Sequence, residues 1–291
     1  ENDVRLLTMY TLSLRRRDVP VNYLPRDRIR ATRFGEREFA ADGATQLSTV
    51  TFAHVAVPDL STARSTTWDV AYDYRLNPRW SFHVSAVDRR GSHELIVNPQ
   101  VIDAAAGTGQ LLLSSTGEGH YRDIESGFHY SRPPALDLDV SYVFSHGQSE
   151  FNPFAAFFGI PLAPIINPNA SGPADIPHRL LGRGRLMPTS RWLLLGVVEW
   201  RSGSPYSVYN DSLDYVGPRN ELRLPRYFRL DLGVERRFRI SKFQPWIGIR
   251  ATNALDSALS NEVQANNGSP NFGKLYPSDY RQLRLQLRFE R

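Results

Sequence analysis

The 291-residue sequence contains no cysteine. That excludes a disulfide framework, a thiolate zinc site and a thiol nucleophile. Lysine is nearly missing: it stands only at Lys242 and Lys274, and arginine supplies the rest of the 35 basic side chains. Long apolar runs are absent too. The longest are Trp192 to Val198 and the proline-broken Phe154 to Ile166, short of the roughly 18 residues a spanning helix needs. The apolar fraction of 41% and mean hydropathy of −0.39 exclude both a helical membrane protein and a disordered chain. The periods of collagen, coiled coils and repeat solenoids do not occur. The net charge is +5, but Arg alternates with Asp and Glu and builds no basic stripe with aromatic partners. Nucleic acid is therefore not an expected partner, and a GC-rich genome is the plain source of the arginine bias. No charged segment followed by an apolar one comes after Glu1, as a signal peptide would require. The expectation is a mature chain or a piece of something longer.

What is present is alternation with period two. Trp68, Val70, Tyr72, Tyr74 and Leu76 are separated by Asp69, Ala71, Asp73 and Arg75, and Asn77-Pro78 then turns the chain. Trp80, Phe82, Val84 and Ala86 resume the apolar series against Ser81, His83 and Ser85. Ile124, Phe128 and Tyr130 alternate with Asp123, Glu125 and His129. After Pro133-Pro134, Leu136, Leu138, Val140, Tyr142 and Phe144 alternate with Asp137, Asp139, Ser141 and Ser145. Phe228 to Glu235, Ile247 to Arg250 and Gln282 to Phe289 repeat the pattern. Val4 to Leu14 and Gln46 to Val57 read as less regular strands, and His178 to Leu186 with Trp192 to Arg201 as a hairpin. About ten strands are expected, many of 10 to 13 residues, longer than the five or so usual in soluble sheets. About 9 to 11 tilted residues cross a bilayer.

Alternation serves a soluble sandwich and a membrane barrel equally, because both have one apolar and one polar face. Three features favour the barrel. The polar faces carry charges of both signs, as a hydrated, cross-paired interior would. Aromatics stand near strand ends (Trp68, Tyr74, Trp80, Tyr130, Tyr142, Trp192, Trp200, Tyr227 and Trp246), where interfacial girdles form. Connections are short at one end (Asn77 to Arg79, Pro133 to Ala135, Met187 to Arg191, Ser241 to Phe243). They are long at the other (Arg90 to Glu118, Gly147 to Pro177, Ser202 to Pro225, Leu255 to Asp279), as in outer-membrane barrels. The fold class expected is an all-β, antiparallel transmembrane barrel, either an arc of a larger barrel or a small closed one.

The faces follow from parity. Lumen-facing candidates are Asp69, Asp73, Arg75, His83, Asp123, Glu125, His129, Asp137, Asp139, Arg229, Asp231, Glu235, Arg250, Arg284 and Arg288. Lipid-facing candidates are Trp68, Val70, Tyr72, Phe82, Val84, Leu138, Val140, Tyr142, Leu230, Leu232, Ile247, Ile249, Leu285, Leu287 and Phe289.

Taken as strings, the segment from Trp68 to Asp103 with its Arg90-Gly91-Ser92-His93 turn, residues 120–150, GPADIPHRLLGRGRL (172–186) and RSGSPYSV (201–208) resemble paired strands of TonB-dependent outer-membrane receptors. The likeness is to the Oar-like branch, which has a carboxypeptidase-regulatory-like N-terminal domain. RLDLGVERRFRI (229–240), ATNALDS (251–257) and the segment from Ser269 to Phe289 resemble the last three strands of that barrel. The resemblance runs in order over 65–291, with 1–64 matched only weakly. Each motif is mostly strand grammar, so their order carries the likeness. It implies the C-terminal part of a barrel of about 22 strands in the bacterial outer membrane. Uptake of an unidentified ligand selected by the loops is implied, driven through the TonB system by a plug and energy-coupling box that this sequence lacks. The family usually ends at a terminal aromatic, whereas Glu290 and Arg291 follow Phe289 here. The rival expectation is a self-contained barrel acting as a passive pore or structural protein.

Catalytic and metal signatures are weak. No HExxH and no His pair at i, i+4 occurs among His54, His83, His93, His120, His129, His146 and His178. No cofactor is expected. An outer-membrane enzyme would need Ser, His and an orienting group together on the lipid face, whereas His83 and Ser85 fall on the polar side. GRGR (182–185) lacks the lysine of a phosphate loop and reads as a strand whose glycines permit close packing. Asp211, Asp214, Asn266 and Asn267 lack calcium-loop spacing. The apolar, proline-rich Phe151 to Ile166 reads as a packed loop edge, or as a segment covering the barrel mouth. No enzyme is expected.

Overall fold

A computed structural model describes residues 28–32, 35–40, 46–103, 105–150, 170–172, 175–208, 215–239 and 244–290. The expected strand from Val4 to Leu14, the turn at Ser241 to Phe243, the segment Phe151 to Ile166 and Asp211 with Asp214 lie outside the described residues.

The described residues form strands and no helix. In chain order they are β1 (Arg28–Thr32), β2 (Gly35–Ala40), β3 (Gln46–Ala56), β4 (Arg64–Asn77), β5 (Trp80–Asp103), β6 (Thr108–Arg132), β7 (Leu136–Ser149) and β8 (His178–Thr189). They continue with β9 (Trp192–Arg201), β10 (Pro205–Tyr206), β11 (Leu222–Arg223), β12 (Tyr227–Arg237), β13 (Gln244–Thr252), β14 (Leu259–Val263), β15 (Leu275–Asp279) and β16 (Gln282–Glu290). Nine of them make one antiparallel wall in the order β4-β5-β6-β7-β8-β9-β12-β13-β16. β1 to β3 pair antiparallel in sequence, and β3 joins the wall by a parallel pairing with the distal end of β6, Thr51 opposite Thr108. Two small hairpins, β10-β11 and β14-β15, lie in the long connections.

Local chemistry sets the tight turns. Asn77 Oδ1 accepts the Arg79 amide at 2.9 Å, so the β4–β5 turn is closed by its own side chain. Thr189 Oγ1 does the same for the Arg191 amide at the β8–β9 turn. At Pro133-Pro134 no backbone N–H is available to a ladder, and Ala135 N bonds Arg132 O at 2.8 Å.

One expected long connection is not a loop. From Arg90 to Glu118 the chain stays paired, and β5 and β6 form a continuous hairpin closed by Asp103 and Thr108. Ile96, a β-branched residue suited to strands, lies in this extension opposite Ser114. His93, at φ 58°, marks the irregularity at Gly91–Glu94, where the register shifts. Bulges of this kind bend a strand without ending it.

The wall has no soluble-type core. Among the described residues only Ile96, Ala170, Leu193, Tyr227, Trp246 and Leu259 are buried hydrophobics. Meanwhile Trp68 is 74% exposed, Val70 70%, Leu283 69% and Leu285 77%. An apolar area of that extent, continuous over the sheet, needs an apolar solvent.

Candidate functional site

Residues directly opposite in an antiparallel sheet point to the same face, so the register assigns faces across the whole wall. Trp80, Tyr130, Leu138, Gly184, Gly196, Leu232, Ala251 and Leu283 form one row. The fifteen lipid-facing candidates fall on that apolar face. Asp73, His83, Gly127, Ser141, Leu181, Glu199 and Arg229 form a row of the opposite face. The fifteen lumen-facing candidates fall there. No slip of one residue interrupts the nine strands between these rows; such a slip would exchange the two faces.

The polar face is the concave one. A single hollow of about 590 Å³ touches β7, β8, β9, β12, β13 and β16, and its walls include Asp137, Asp139, Arg183, Arg185, Asp231, Arg250 and Arg284. A flat six-stranded sheet would span about 24 Å between its outer strands and could not close around one hollow.

Charges of both signs occur along this face, in unequal proportion. β4 to β7 carry Asp69, Asp73, Asp123, Glu125, Asp137 and Asp139 beside Arg75 and Arg89. β8 to β16 carry Arg179, Arg183, Arg185, Arg201, Arg229, Arg250, Arg284 and Arg288 beside Glu199, Asp231 and Glu235. The sequence expectation of even cross-pairing holds at particular contacts but not over the wall. Asp139 sits at the boundary, accepting from Arg183 Nε at 3.1 Å and lying 2.8 Å from His129 Nδ1. Asp73 meets His83 Nδ1 at 2.8 Å, and Ser141 donates to Glu125 at 2.6 Å. Arg229 and Asp231 are two apart on β12, and the arginine donates two hydrogen bonds, from Nε and Nη2, to the two carboxylate oxygens at 2.8 Å each. Asp231 also accepts the Asn253 amide at 2.8 Å. Glu235 accepts from Arg250 Nη2 at 3.1 Å and Arg288 Nη2 at 3.3 Å, joining β12, β13 and β16. Gly248, opposite Glu235, leaves it room: a Cβ there would stand 2.5 Å from Glu235 Cγ.

His129, Asp137 and Asp139 bring donor atoms within 4.8 Å of one another. Arg183 already balances Asp139 in this cluster, so the arrangement is that of an ion-paired wall. His83 and Ser85 share the polar face, and Ser92 meets its chain neighbour His93 at 3.2 Å in the bulge of β5, beyond the apolar rows.

Two aromatics expected in the girdles turn inward. Tyr227 and Trp246 are buried on the polar face. Arg201 lies 4.2 Å from the Tyr227 ring centre, and Arg237 and Arg288 cover Trp246 at 5.5 and 5.3 Å. Parity decides this, because Tyr227 shares phase with Arg229, and guanidinium stacking lets the rings remain there. Trp68, Tyr74, Trp80, Tyr130, Tyr142, Trp192 and Trp200 share the apolar face.

Sequence reading missed the polar knots that tie the long connections to the wall. Asp175 has a fully buried side chain, accepts the Gly147 amide at 2.8 Å and pairs with Arg223. Asn220 donates to Ser171 O at 2.8 Å and its amide bonds Ser207. Asn253 has no solvent exposure and bridges to Ser257 through both its amide and its carbonyl oxygen. The only signal in the sequence is Asp or Asn in Gly/Ser-rich surroundings, which does not distinguish a knot from a solvated turn.

No family model matches the chain, and no curated protein matches it. Solved structures do match it in fold. The chain is similar to the outer membrane transporter YddB from Escherichia coli at 13% identity and TM-score 0.55, over 82% of this chain and 34% of that one. It is similar to the ferripyoverdine receptor of the outer membrane of Pseudomonas aeruginosa at 11% identity and TM-score 0.55, over 78% and 27%. The FrpB iron transporter from Neisseria meningitidis matches at 10% identity and TM-score 0.52, over 87% and 36%. The fold is that of an outer-membrane β-barrel wall. The chain spans about a third of the length of these proteins.

Proposed function

We propose that the chain is an arc of a larger barrel in the bacterial outer membrane and that the whole protein takes up a ligand as a TonB-dependent receptor. The observation that carries this reading is the pair of open edges. Among the described residues β4 pairs only with β5 and β16 only with β13. Backbone groups within lipid need partners, so spanning sheets close. Further strands beside β4 and β16 would close this one. Matches that reach about a third of longer outer-membrane transporters and receptors support the same reading. In it, residues 65–291 are the barrel region and 1–64 carry N-terminal strands, the apolar face meets lipid, and the charged face lines a hydrated lumen. The long connections select the ligand, and a plug contributed by other parts of the protein couples to the TonB system. The reading assigns no enzymatic step to the chain.

The test is the intact mass of the native polypeptide extracted from outer membranes with detergent. The expected result is a single chain far heavier than 33.0 kDa in the outer-membrane fraction. A native mass near that value would overturn the reading in favour of a small barrel forming a passive pore.

A further inference from the structure

The apolar face does not stay apolar along its whole height. On β5 the outward series runs Trp80, Phe82, Val84, Ala86 and then Asp88 and Arg90. Their register partners make the same change. Ala86 lies opposite Ile124, and Ile124 opposite Phe144; the next row is Trp68, Asp88, Arg122 and His146, and the one above holds Arg90, His120 and Gln148. At ~3.3 Å per residue and a tilt of about 40°, Arg90 stands roughly 25 Å above Trp80. That is the height of the apolar band of an outer-membrane barrel, so these rows meet the headgroup layer. They lie at the end away from the tight turns, which is the external side in such barrels.

The geometry within the rows is that of an anion clamp. Asp88 accepts from Arg122 Nε at 2.7 Å and from Arg90 Nε at 3.2 Å, with His120 Nε2 at 3.2 Å. Both guanidinium groups are therefore anchored by Nε and present their terminal nitrogens outward, on side chains 58% and 68% exposed. Two fixed forks suit the oxygens of one phosphate. Gly91 and Gly119 floor a hollow of about 530 Å³ beside them, with Arg90, Arg122, His120 and Gln148 on its walls and Glu118 at its outer end. The acids Glu118 and Glu150 stand one row farther from the bilayer, where the Glu118 amide bonds Glu150 at 3.1 Å.

We infer that Arg90 and Arg122, held in place by Asp88, bind a phosphate on the glycolipid headgroups of the outer leaflet. This inference rests on the membrane placement proposed above and adds a lipid site on the outside of the wall, separate from the lumen. Height and the two exposed guanidinium groups together point to a membrane phosphate, because these rows stand at the rim of the lipid-facing surface.

The test uses the full-length native protein in detergent micelles, titrated with bisphosphorylated lipid A and followed by its unfolding temperature. Arg90→Gln with Arg122→Gln is expected to weaken lipid A binding about tenfold, and Asp88→Asn to weaken it in the same direction. Arg236→Gln, outward at the opposite rim and stacked on Trp192, is expected to bind as the native protein does. Lipid A stripped of its phosphates should bind the native protein as weakly as lipid A binds the double variant. Equal binding of lipid A by the native protein and the double variant would overturn the inference. So would displacement by inorganic phosphate at the same concentration as lipid A, which would make the clamp a free-anion site. Heat-dependent gel mobility of each variant reports the folded barrel independently. A protein that never behaves as an integral barrel defeats the membrane placement itself, whereas a folded barrel indifferent to the arginines defeats only the lipid site.

Discussion

Glu235 offers the sharpest probe of whether the polar face is a cross-paired wall. Its carboxylate is nearly enclosed, with a side chain 5% exposed, and it holds Arg250 of β13 and Arg288 of β16 at once. Glu235→Gln preserves shape and removes the charge. Two charge-assisted bonds then become ordinary ones, a change of about 1 kcal/mol each before screening. Both arginines are about half exposed, so water recovers part of that loss and the expected cost is about 1 to 2 kcal/mol. The assay is urea unfolding in detergent, read by the gel mobility that separates folded barrel from unfolded chain. A cycle with Arg288→Gln isolates the pair, with an expected coupling of about 1 kcal/mol. Arg288 also stacks on Trp246, so its single substitution should cost more than the pair alone. A coupling within about 0.3 kcal/mol of zero, with both singles folded, would refute the three-strand link.

Three further outcomes are expected. Leu285→Arg, in the middle of the apolar row, should cost about 2 to 4 kcal/mol of barrel stability, while Gln286→Arg beside it should be nearly neutral; equal losses in the same urea assay would reject the assignment of faces. Asn253→Ala removes a fully enclosed side chain and leaves the Ser257 amide and carbonyl without it; a loss of about 1 to 3 kcal/mol is expected, with faster proteolysis between Leu255 and Asp279 as the local sign. These 291 residues contribute no cysteine, so with any cysteine elsewhere in the protein replaced, single cysteines report topology. Ala106→Cys should react with a membrane-impermeant maleimide on intact cells, and Arg191→Cys only after the outer membrane is opened; the reverse order would invert the orientation.

The sequence by itself carried the strands and the identity of their faces. Period two is imposed by the pleat, so Asp69, Asp73 and Arg75 had to leave one side and Trp68, Val70 and Tyr72 the other, whatever the neighbours. The tight turns were legible for a similar reason, since Asn77-Pro78 and Pro133-Pro134 limit the backbone locally. Parity also fixes where Tyr227 points, but the girdle reading followed its position near a strand end and placed it outside. Hairpin partners were legible, as for His178 to Leu186 with Trp192 to Arg201, but remote partners were not. That β12 lies beside β9, that Arg183 reaches Asp139, or that β5 and β6 continue to Asp103 and Thr108 depends on contacts remote in the chain. No local preference encodes them. Only the tertiary structure brings Arg250 and Arg288 onto Glu235 and buries Asp175 and Asn253 as knots. It also raises Arg90 and Arg122 to the rim above the apolar band, because curvature and register, set by the assembled sheet, decide which side chains share a space.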